Sequence, residues 1–129
     1  MGKVYDILLD EVKIGTSRLE NADAPMGVVF GRIDFIDPKL GYQFFKNYCL
    51  QNKVDFTDYP EDKLISTRMI PDLNVYDKSG YEIKGLASSI SGMDSDQFDI
   101  SIEGISYPFY QEEFPHHVKA YQEMLKQMK

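Results

Sequence analysis

The chain has no tryptophan and a single cysteine, Cys49. One cysteine excludes an internal disulfide and fits a reducing compartment or indifference to redox state. Long apolar runs are also missing. No segment approaches the roughly 18 consecutive apolar residues needed to cross a bilayer. The opening "MGKVYDILLDEVK" has neither a long apolar stretch nor a small-residue cleavage site, so no signal peptide is expected. Asp6 stands where a myristoylation signal beginning at Met1-Gly2 would place Ser or Thr. Together these absences lead to the expectation of a cytoplasmic protein without a membrane partner.

Basic residues are scarce. Lys and Arg number 14 against 21 Asp and Glu, a net charge of −7, and neither sign gathers in a tail. Phosphate recognition needs clustered Lys and Arg, which argues against nucleic acid as a direct ligand. A basic protein is the expected partner, although dispersed acids also simply keep a protein in solution. Reaction motifs are lacking as well: there is no glycine elbow around Ser17, no phosphate-cradling loop, no dinucleotide fingerprint and no zinc spacing. Asp94 and Asp96 in "MDSDQ" lack the glycine and terminal glutamate of a calcium loop and read as a turn. Neither cofactor nor metal is expected.

What remains is an ordinary globular composition, 43% hydrophobic and 27% charged over 129 residues, enough for one domain that buries roughly two thirds of its unfolded surface. "VYDILLDEVKIGTSRLE" alternates Ile7 and Leu9, then Val12 and Ile14, about Asp10-Glu11, and reads as a hairpin. "MGVVFGRIDF" supplies a third strand, with Gly27 and Gly31 marking a bulge or a close backbone approach. Asp37-Pro38 predicts a capped helix start, and Leu40, Phe44, Phe45 and Tyr48 carry the helix to about Gln51. Cys49 lies beside that stripe as a buried, inert thiol.

Residues 52 to 72 read as loop with one short strand or turn around Leu64 to Met69. "LNVYDKSGYEIKG" reads as a hairpin setting Leu73 and Val75 opposite Tyr81 and Ile83. "FDISIEGI" alternates Phe98, Ile100 and Ile102 with polar residues, a strand with one face in the core. From Pro115, Val118, Tyr121, Leu125 and Met128 mark an amphipathic helix. The predicted class is α+β, a single domain over residues 1 to 129, with a largely antiparallel sheet in the order β-β-β-α-(β)-β-β-β-α.

Chemistry-bearing residues concentrate in "GISYPFYQEEFPHHVKAY", residues 104 to 121. Glu112 and Glu113 precede the positive end of the last helix, and Lys126 and Lys129 lie at its negative end, so helix electrostatics account for all four. A protonated imidazole is disfavoured in a first helical turn, so His116 and His117 are expected neutral. A neutral imidazole can act as a base or ligate metal, and Glu113 stands three residues before His116. Adjacent histidines nevertheless point about 100° apart around a helix, and carboxylate-bridged metal sites need a second such pair. Capping of the strand–helix joint by hydrogen bonds is therefore the role expected of the pair, ahead of metal binding or acid–base chemistry. Tyr107 and Tyr110 read equally as protein-binding anchors or as core.

"LENADAPMGVVFG", residues 19 to 31, and "GISYPFYQEEFPHHVKAY" resemble a group of small bacterial proteins with no assigned activity. The resemblance implies a bacterial, cytoplasmic source and transfers no catalytic residue. Three functional expectations follow. The first is a binding module for a basic protein, for example an immunity protein that blocks a basic toxin. The second is an enzyme or small-ligand binder built on Glu112, Glu113, His116 and His117 with Tyr107 or Tyr110 as donor, which requires a shared pocket. The third is a structural or oligomeric role, favoured by an exposed apolar patch.

Overall fold

The computed structural model describes residues 3 to 128; Met1-Gly2, the start of the myristoylation pattern, and Lys129, at the end of the last predicted helix, lie outside the described residues. The chain is an α+β domain of two antiparallel sheets. It runs β1 (Tyr5–Leu9), β2 (Val12–Ser17), β3 (Asn21–Asp23), a 3-10 turn (Ala24–Met26), β4 (Val28–Arg32), β5 (Asp34–Phe35) and α1 (Tyr42–Asn52). It continues with β6 (Phe56–Tyr59), β7 (Leu64–Thr67), β8 (Leu73–Tyr76), β9 (Ala87–Met93), β10 (Phe98–Glu103), α2 (Phe109–Glu113) and α3 (Pro115–Gln127). One sheet has the order β5-β2-β1-β8 and the other β3-β4-β10-β9-β7-β6.

The strands follow from side-chain alternation. In β1, Tyr5, Ile7 and Leu9 face inward, and in β10 Phe98, Ile100 and Ile102 do the same. The β1–β2 hairpin turns at Asp10 and Glu11, both at positive φ, the geometry of a turn whose twist matches its strands. Its register shifts between Ile7 and Leu8, leaving Ile14 as the extra residue of a bulge. The chain passes from one sheet to the other between β2 and β3 and again at Ile33, between β4 and β5. Inward residues of both sheets therefore enter one hydrophobic cluster, which α1 joins through Phe45, Tyr48 and Cys49. Burial pushes the Cys49 thiol pKa up, holding it as an inert thiol.

Several boundaries depart from the predicted ones. Five strands precede α1 rather than three, because "MGVVFGRIDF" divides at Ile33 and Asn21–Asp23 pairs with β4. The helix begins at Tyr42 rather than at Asp37-Pro38. The Asp37 carboxylate accepts from the Lys39 backbone N–H at 2.9 Å and closes its own turn, while Asp94 Oδ1 accepts from Tyr42 N–H at 2.8 Å and caps α1 from another part of the chain. Residues 52 to 72 hold two strands, β6 and β7, paired as a hairpin. The region from Leu73 to Ile83 is one strand with an isolated bridge between Tyr76 and Glu82. Ala87–Met93, for which no strand was predicted, lies between β10 and β7.

The two glycines singled out in the sequence sit at close approaches. Gly27 ends the 3-10 turn at φ 66°, and a Cβ there would stand 2.5 Å from the Ile105 carbonyl oxygen. A Cβ on Gly31 would meet Ser17 Oγ at 2.8 Å. Among the described residues no helix is long and apolar enough to cross a membrane.

Candidate functional site

Residues 104 to 121 form the joint that fastens the two C-terminal helices to the sheets. Gly104, at φ 70°, ends β10, and Ile105 N–H then donates to the Gly27 carbonyl at 2.9 Å. The hydroxyl of Tyr107 donates to the Ala24 carbonyl and that of Tyr110 to the Val28 carbonyl, both at 2.9 Å. Their rings stack with centroids 5.2 Å apart. Tyr110 is fully buried and Tyr107 half-exposed. Burial, then the neighbouring Tyr107, pushes the Tyr110 phenol up to about 12, so it acts as a neutral donor.

Phe114 separates α2 from α3 and is the packing centre of the joint. Its buried ring meets Tyr110 at 5.4 Å, Tyr5 at 6.0 Å and His117 at 5.8 Å. Glu113, whose side chain is 9% exposed, accepts from Tyr5 OH at 2.6 Å and Lys3 Nζ at 2.9 Å. This carboxylate is thereby tied to the start of β1. Desolvation, reinforced by the Glu113 hydrogen bond, pushes the Tyr5 phenol far above its ordinary range.

The two imidazoles lie 4.1 Å apart, centroid to centroid, and face different spaces. His117 Nε2 donates to the Leu19 carbonyl at 2.9 Å, joining the start of α3 to the corner between β2 and β3. His116 lines a hollow of about 260 Å³ with Lys3, Tyr5, Arg18, Glu112 and Glu113. Desolvation, then the adjacent His117, lowers its pKa, so it is neutral near pH 7. Of the six residues singled out in the sequence, Glu112, Glu113 and His116 share this hollow. His117 faces another, and the two tyrosines bond backbone carbonyls of the Ala24 to Val28 segment. A neutral imidazole there could accept a proton, but the adjacent carboxylate already receives two donors. Among the described residues, no three His, Cys, Asp or Glu side chains converge as a metal site.

The space that His117 faces is larger, about 590 Å³, and mostly apolar. It runs between β3 with its following turn and α3. Ala24, Pro25 and Phe30 form one wall, Ala120, Tyr121 and Met124 the other, and Glu20 and Asp23 stand on the β3 side. Sequence reasoning did not find this groove. Its signal was the amphipathic pattern of α3, which reads as a core-facing stripe. In the structure Val118 and Tyr121 pack partly against the core, and no residue of α3 is buried. Comparison with protein-family models, with curated proteins and with solved structures finds no match to the chain.

Proposed function

We propose that this chain is a protein-binding module, a small acidic domain that docks onto a basic partner, a basic toxin held inactive being one form of such a partner. The observation that carries the reading is α3. Thirteen residues form a helix with an apolar stripe and no buried residue, and Met124, Leu125 and Met128 are 49%, 41% and 74% exposed. Helices shorter than about 12–15 residues are marginal in water without tertiary packing. A helix of this length held by its first turns, with apolar side chains left outward, has the character of an interface awaiting a partner. The net charge of −7 favours encounter with a basic surface.

An enzyme or small-ligand reading needs Glu112, Glu113, His116 and His117 around one space, and His117 faces another. Affinity capture at low and at high salt, followed by reconstitution with the purified partner, tests the proposal. A basic protein that forms a stoichiometric complex, weakened by salt, is the expected result. Absence of any retained partner at both salts overturns it.

A further inference from the structure

We infer that the groove between β3 and α3 seats an amphipathic helix of the partner, one that presents apolar side chains flanked by Lys or Arg. This rests on the protein-binding reading and adds a place and an occupant. The groove lining carries two carboxylates, Glu20 and Asp23, and no Lys or Arg. Among the described residues neither carboxylate takes part in an ion pair. Glu20 is held in place because its Oε2 accepts from the Arg32 backbone N–H at 3.0 Å. A cation arriving beside the apolar floor would therefore find two unneutralised carboxylates, with Glu20 already fixed in place.

The apolar part suits a helix. His117, Ala120, Tyr121 and Met124 line the groove from α3 at three- and four-residue spacing, a helix face against which a second helix can set its own side chains. Met124 adds an unbranched side chain that adapts to the surface pressed on it. An added strand fits less well. β3 is three residues long, contains Asp23 and runs into Pro25, the features by which sheet edges resist pairing. A second copy of the chain fits less well again, because each copy carries −7 and would bring like charge to the same rim.

The test uses the full chain and two synthetic peptides of about five helical turns, one patterned Leu/Lys and one Leu/Glu, followed by NMR. The Leu/Lys peptide should bind at least about ten-fold more tightly, a difference of roughly 1.4 kcal/mol. Amide shifts should centre on residues 20 to 25 and 117 to 124. Met124→Gln should weaken binding, and Glu20→Gln with Asp23→Asn should weaken it and flatten its salt dependence. Leu50→Gln, at an exposed position on α1, should do neither.

Three results would each overturn the inference: shifts spread over the whole surface, equal loss in Leu50→Gln, or a dimer of the chain that Met124→Gln dissociates. A cognate partner that binds Met124→Gln and the double variant undiminished would also remove this groove while leaving the protein-binding reading standing. Failure to recover any partner bears on that broader reading instead.

Discussion

Glu113 shows how one side chain can hold two ends of a fold together. Its carboxylate is nearly buried and receives Tyr5 OH and Lys3 Nζ, and loss of a donor to a buried charged acceptor exposes the cost of its desolvation. Tyr5→Phe should therefore destabilise the protein by about 1.5–3 kcal/mol, read from the urea midpoint, with the denaturant slope unchanged. His116 supplies the pH dependence. Desolvation and the neighbouring imidazole hold its pKa below the ordinary 6.5, against the opposing pull of Glu113, so the unfolded chain binds more protons at this site. Its contribution is fully present above the unfolded pKa and is lost as pH falls through that value towards the folded one. Stability should decline as pH falls below the ordinary imidazole value of about 6.5, and His116→Gln should flatten that part of the curve. An equal slope in the variant would remove His116 from the account.

The elements differ in how far local sequence determines them. β10 is legible because Phe98, Ile100 and Ile102 alternate with polar residues and all three are buried. β9, "ASSISGM", is not, since its Ser and Gly residues have no strand signature; pairing with β10 on one side and β7 on the other makes it a strand. The end of α1 was legible but its start and cap were not, because the capping carboxylate, Asp94, comes from the turn after β9. Asp94→Ala should cost about 1 kcal/mol, whereas Asp37→Ala, whose carboxylate bonds only within its own turn, should cost less; thermal unfolding of both variants compares them. Of the six site residues, the sequence identified the segment but not its division between two spaces. That division depends on the contacts of Phe114 and on the Leu19 carbonyl, which lies 98 positions from His117.

At the scale of the whole molecule, two sheets with one core carry a C-terminal helix that is attached at its start and displays its apolar stripe beyond it. The amphipathic pattern of α3 is visible in the sequence, but whether such a stripe is covered depends on how many neighbours the fold supplies, which no local pattern encodes. With a charge of −7 on every copy, the isolated chain should be monomeric at moderate ionic strength, as measured by light scattering on a sizing column.

We propose that another protein docks on this uncovered helix face. Hydrogen exchange of the chain, alone and with its reconstituted partner, tests it most directly. Exchange in residues 115 to 127 and 20 to 25 should slow on complex formation; unchanged exchange there, with protection appearing on another face, would place the docking surface elsewhere.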